Sequence, residues 1–171
     1  MKLNVAGLRR IVGGTENFFF REDFPPLQLG ESKYFFQSPI EVHLTVNNTG
    51  KSLFVEGKIN GGLEVLCSKC LKSFTYQMNF DFEDEFIPAK YYVESHDEND
   101  AFVFDKDEFS IDERIQEHIL LHLPMRFICS DSCQGLCPQC GTDLNLNSCT
   151  CVDSDIDPRL AILSKWNKGV K

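Results

Sequence analysis

The chain has 171 residues, 42% of them hydrophobic, and a net charge of −9 with histidines counted as neutral. That length is about one domain with room for a real core, and no apolar run reaches the roughly 18 residues of a membrane span. The charge argues against direct, non-specific nucleic-acid binding, which needs lysine and arginine to displace counterions from phosphates; an acidic surface suits a basic protein partner instead.

The start, MKLNVAGLRRIVGG, has Lys2, Arg9 and Arg10 between short apolar pieces. It lacks the charged-then-apolar order and the small-residue cleavage site of a secretory signal. A cytoplasmic protein is therefore expected, one whose thiols stay reduced. The same stretch predicts a short strand and a helical turn, ended by Gly13 and Gly14. NFFFREDF then reads as an aromatic strand broken at Pro25-Pro26.

From Ile40 to Val46 apolar and polar residues alternate, the pattern of a half-buried strand. Asn47-Asn-Thr-Gly50 is a turn signal. Leu53–Ile59 reads as the next strand, Asn60-Gly61-Gly62 as another turn, and Leu63–Leu66 as a strand running into Cys67. After Cys70, residues Phe74, Tyr76, Met78, Phe80, Phe82 and Phe86 share one parity and Thr75, Gln77, Asn79, Asp81 and Glu83 the other. That period of two predicts a long strand with one face in the core. The alternative, an aromatic platform for nucleobases, sits badly with its acidic opposite face.

Glu94–Asp100 is an acidic linker in which His96 has no metal-like neighbour. Ala101–Phe104 predicts a short strand. Ser110-Ile-Asp-Glu113 has the form of a capping box, and a helix is expected over about 110–123, ended by Pro124. His118 and His122 are four apart on it, but Glu117 precedes the first histidine, so this is not the zinc-peptidase HExxH pattern; a role on the helix surface or in the core is expected. Near the end, Asp157-Pro158 predicts the start of a helix running from Arg159 to Trp166.

The eight cysteines fall into four pairs: Cys67/Cys70, Cys129/Cys133, Cys137/Cys140 and Cys149/Cys151. In a reducing compartment this points to metal and away from a disulfide scaffold. A tetrahedral site needs four thiolates about 2.3 Å from the ion, and a C-x-x-C turn supplies half of one. Cys137-Pro-Gln-Cys140-Gly141 has the form of a knuckle, and Cys149 and Cys151 follow after a short loop that is cheap to close. Loop closure favours Cys137, Cys140, Cys149 and Cys151 as one site, leaving Cys67, Cys70, Cys129 and Cys133 as a long-range site. The alternative joins Cys67/Cys70 to Cys137/Cys140, as in a zinc ribbon. Two Zn2+ ions are expected, with iron as the alternative, since CPxCG knuckles also hold iron. Sites closed by sulfur are structural, with folding free energy on the order of 10 kcal/mol for each ion. A redox dithiol is the rival reading of C-x-x-C, but Cys67-Ser-Lys-Cys70 sits between strands and not at a helix start.

The order CSKCLKSF, long strand, acidic linker, helix ending HLPMRFIC, then C-x3-C, GLCPQCGTDLN, C-x-C and DPRLAIL resembles the YceD family of large ribosomal RNA accumulation proteins over nearly the whole chain. The resemblance implies a cytoplasmic, non-enzymatic factor for 23S ribosomal RNA accumulation and large-subunit assembly. Its partners would be the pre-ribosomal large subunit or a basic ribosomal protein. No catalytic residue carries over; only the eight cysteines do, as ligands. The alternatives are a zinc-stapled adaptor with another basic partner, and a redox or iron-thiolate protein. The expected fold is α+β: a mainly antiparallel, barrel-like sheet with one main helix in residues 1–128, and a Cys-rich metal-binding lobe with the last helix in residues 129–171.

Overall fold

Residues 1–30, 32–92 and 102–151 are described by the structure, a computed structural model. In chain order the elements are β1 (Lys2–Asn4), a 3-10 turn (Leu8–Arg10), β2 (Thr15–Glu22), β3 (Leu27–Leu29), β4 (Ser32–Phe36), β5 (Ile40–Asn48), β6 (Leu53–Leu66), β7 (Ser73–Pro88), a second 3-10 turn (Ala89–Tyr91), β8 (Phe102–Phe104), β9 (Glu108–Ser110) and α1 (Asp112–His122). The acidic run with His96 and the helix expected from Arg159 to Trp166 lie outside the described residues. The chain divides into two compact units, Met1–Ser68 with Lys72–Cys129, and Lys69–Leu71 with Ser130–Lys171.

The first unit is built around β6. On one side β6 pairs antiparallel with β7 along its whole length, from Leu53 opposite Phe86 to Leu66 opposite Ser73. On the other it pairs with β5, and further along with β4. Outside these lie β2, against β5, and β3, in a hairpin with β4. β8 runs parallel to the end of β7, while β1 and β9 form a separate two-stranded sheet. The sheet is therefore mostly antiparallel, but it is not the expected barrel. Closure requires the outermost strands to pair; among the described residues β2 pairs with β5 alone, and β3 and β8 end other branches.

A second departure is that Asn60-Gly61-Gly62 makes no turn. These residues continue β6, opposite Asn79, Met78 and Gln77. The glycines serve close approach: a Cβ on Gly62 would lie 2.9 Å from Thr75 Cγ2, and one on Gly61 3.0 Å from Ile40 Cγ2.

The core lies on one face of β5, β6 and β7. Val42, Leu44 and Val46, Leu53, Val55, Ile59, Leu63 and Val65, and Met78, Phe82 and Phe86 are buried there. Ile115 and Ile119 of α1 belong to the same cluster. The period-two aromatic row of β7 is thus core packing. The start of α1 also differs from a capping box. Ile111 is the cap residue, and its hydrocarbon side chain makes no hydrogen bond to the helix; Ser110 is instead paired with Lys2 in the β1–β9 ladder. The Ser110 hydroxyl instead accepts from the Asp112 amide at 3.3 Å and donates to its carboxylate at 2.7 Å. That carboxylate also meets the Met1 ammonium, a favourable negative charge on the first turn.

Candidate metal centres and a buried ion-pair network

The turn between β6 and β7 carries Cys67 and Cys70. The Cys67 amide donates to the carbonyl of Lys72, five residues on, at 2.9 Å. The turn at Cys137 is built the same way: its amide donates to Thr142, again five residues on, at 2.8 Å. Each closure needs a left-handed residue just after the second cysteine. Gly141 fills that position with φ 73°, whereas in the first turn Leu71 does so with φ 60°. Glycine adopts this conformation freely and leucine does so at a cost. The shared geometry aims paired sulfurs to one side, the job of a thiolate knuckle.

Two groups of four thiols result that can hold metal ions: Cys67, Cys70, Cys129 and Cys133, and Cys137, Cys140, Cys149 and Cys151. Within each group the sulfurs all lie within 4.8 Å of one another. A tetrahedron with 2.3 Å zinc–sulfur bonds has edges of about 3.8 Å, so the donor sets fit a four-coordinate thiolate ion. None of the eight cysteines is in a disulfide. Backbone and side-chain amides also point at sulfur: the Cys129 amide at Cys67 Sγ, 3.5 Å away, and Asn145 Nδ2 at Cys133 Sγ, 3.7 Å away. Such donors stabilise thiolate charge, as partners of metal ligands do. In the second group the Thr142 hydroxyl lies 3.1 Å from Cys140 Sγ. Hydrogen bonding from Thr142 brings the Cys140 thiol down to about 6, while the hydrogen bond with Cys140 pushes Cys151 up to about 12. Crowded thiols resist losing all their protons together, and a cation among them removes that resistance.

A polar network in the first unit carries no signal in the cysteine pattern. Asp84 lies on the aromatic parity of β7, in the core, and its side chain is 3% exposed. Arg114 grips both its oxygens, through Nε at 2.8 Å and Nη2 at 2.7 Å. His118 Nε2 is 3.2 Å from the same carboxylate. Burial pushes the Asp84 carboxyl up, but the bonds from His118 and Arg114 outweigh it and hold it below the ordinary carboxylate value. The His118 ring stacks on Phe82 at 4.2 Å, and His122 stacks on Phe80 at 4.1 Å. Phe82 in turn lies flat on Gly57, where a Cβ would come within 2.2 Å of the ring. The readable sign of this network is a charge on the buried parity of β7, matched by Arg114 and His118 four apart on α1. Beside it a groove of about 740 Å³ is lined by His118, His122 and Phe82 together with Glu56, Glu83 and Lys58, among others.

The family model described as "Large ribosomal RNA subunit accumulation protein YceD" matches residues 55–166. The chain is also 28% identical over 132 residues to "Uncharacterized protein YlbN" of Bacillus subtilis (strain 168), covering 77% of this chain and 76% of that one. No solved structure matches. The family match runs over both cysteine groups and over Asp84, Arg114 and His118.

Proposed function

The chain belongs to the YceD family, and on that footing we propose that it is a cytoplasmic, non-enzymatic factor supporting 23S ribosomal RNA accumulation and large-subunit assembly. The match over residues 55–166 carries this reading. Two Zn2+ ions are its cofactors, one held by Cys67, Cys70, Cys129 and Cys133 and the other by Cys137, Cys140, Cys149 and Cys151. Four thiolates fill a tetrahedral sphere and leave no position for a reacting water, so the zinc supplies cross-linking of the chain and no hydrolysis. The chain's own residues pre-shape the knuckles and neutralise sulfur charge with amide donors.

Net charge sets the mode of action. Eight thiolates and two divalent ions add about −4 to an already acidic chain. Such a surface repels phosphate and attracts lysine- and arginine-rich protein. The factor therefore joins the pre-ribosome through a basic ribosomal protein. The test is depletion in the source cells followed by quantification of both ribosomal RNAs. Loss of 23S RNA with 16S RNA spared is expected, and restored by the wild-type chain. Unchanged 23S levels and unchanged precursors would overturn the proposal.

A further inference from the structure

The two thiol groups differ in how far solvent reaches them. In the first, Cys67, Cys70 and Cys133 are buried and Cys129 is half-buried. The Cys67–Cys70 turn is also backed by the core: the Ser68 amide donates to the Phe127 carbonyl at 2.8 Å, and Phe127 packs in the main hydrophobic cluster. In the second group only Cys137 is buried. Cys149 is half-buried, and Cys140 and Cys151 are exposed. Beside Cys140 the chain offers no cover, because Gly141 has no side chain and a Cβ there would meet nothing within 4 Å. Thiolates are nucleophiles as well as metal ligands, and their oxidation follows exposure.

The two exposed sulfurs are also neighbours. All four sulfurs of the second group lie within 4.8 Å of one another, and Cys140 and Cys151 are hydrogen-bonded to each other. Rotation about their side chains takes them to the disulfide distance of about 2.05 Å. The first group has no matching pair. There Cys129 is the one sulfur that is not buried, and no exposed thiol stands beside it.

We infer that Cys140 and Cys151 form an oxidation site, through which a hydroperoxide frees the second cysteine group of its zinc and leaves the first group loaded. This chemistry rests on zinc being the bound ion, as in the proposed function. The Cys140 thiolate attacks one peroxide oxygen, the O–O bond breaks, hydroxide leaves and a sulfenic acid forms. The Cys151 thiolate then attacks that sulfur, the S–O bond breaks and a second hydroxide leaves as the S–S bond forms. Hydrogen peroxide gains the two electrons that the two sulfurs lose, and two protons from solvent turn the hydroxides into water. Cys137 and Cys149 alone are then left to hold the ion, half of a tetrahedral donor set. A dithiol reductant reverses the step and is itself oxidised to a disulfide.

The test is treatment of the full-length, two-zinc chain with stoichiometric hydrogen peroxide, followed by native mass spectrometry and peptide mapping. A one-zinc chain with a Cys140–Cys151 cross-link is expected. Cys137 and Cys149 should become open to alkylation while the first-group cysteines stay protected. The first-group ion should leave at least about tenfold more slowly, since susceptibility follows exposure. Reductant and added zinc should restore the two-zinc form. Cys151→Ser, with one zinc from the outset, should release none at the same dose. Loss of both ions together, of neither, or of the first-group ion first would overturn the inference. So would a cross-link joining other cysteines, or zinc release from Cys151→Ser at the wild-type rate. In each of those cases the two ions on the untreated chain still uphold the zinc reading, whereas a natively folded chain isolated without zinc removes both.

Discussion

Gly57 shows how one missing side chain organises others. Phe82 occupies the space its Cβ would fill, and the ring supports His118 on its other face. Gly57→Ala must push the ring off its seat, and overpacking of this kind costs about 1–3 kcal/mol; urea unfolding should show it, along with altered His118 ring resonances. Asp84 is the other residue on which much depends. Asp84→Asn leaves Arg114 facing a neutral amide in a site where the arginine side chain is only 17% exposed, a loss of about 3 kcal/mol. The pH dependence follows from the lowered carboxyl. A group more acidic folded than unfolded stabilises fully above its unfolded value, about 3.9, and loses that contribution as the pH falls through its lower folded value. The wild-type chain should therefore shed stability below about pH 4, and Asp84→Asn should show a shallower fall in the same acid titration. The composition of β7 hinted at this: Asp84 falls between the buried Phe82 and Phe86 on the same parity. Its partners come from a helix some 30 residues on, and no local pattern joins them.

At the level of elements, strand periodicity was legible and punctuation misled. Leu53, Val55, Ile59, Leu63 and Val65 keep one parity through Asn60-Gly61-Gly62, and all five are buried. A tight turn would have reversed the chain there, so the unbroken parity outranks the glycines as a signal. Ser110 failed as a helix cap for a non-local reason, its pairing with Lys2. Barrel closure depends on which distant edges meet, and local alternation is silent on that. The two cysteine turns differ at one informative position. Leu71 is 62% exposed and sits where Gly141 sits in the other turn. Leu71→Gly relieves left-handed strain of roughly 1–2 kcal/mol and adds back part of it as unfolded-chain entropy. A net gain of about 0.5–1 kcal/mol is expected in thermal unfolding of the zinc-loaded protein. If Leu71→Gly were as destabilising as a core truncation, leucine's side chain would have a packing role that its exposure denies. For the ligands themselves, Cys67→Ser and Cys137→Ser should each lower bound zinc by one ion per chain, read by elemental analysis.

On the scale of the whole molecule, charge and thiols set what the chain can do. With a net charge of −9, it should not retard naked ribosomal RNA in a gel at physiological salt, while retaining a lysine- and arginine-rich ribosomal protein in a salt-sensitive way. The order of cysteines, aromatic strand and helix was enough to reach the family from sequence, because those features are local and strongly patterned. The buried ion-pair network was not, because it exists only where β7 meets α1. The proposed zinc sites require the eight cysteines to be bound to ions and not to one another. Native mass spectrometry of the full chain, purified under reducing conditions without added metal, examines that state directly. Two zinc ions per chain is the expected result. A natively folded chain carrying no stoichiometric metal, or one with its sulfurs cross-linked in pairs, would contradict it.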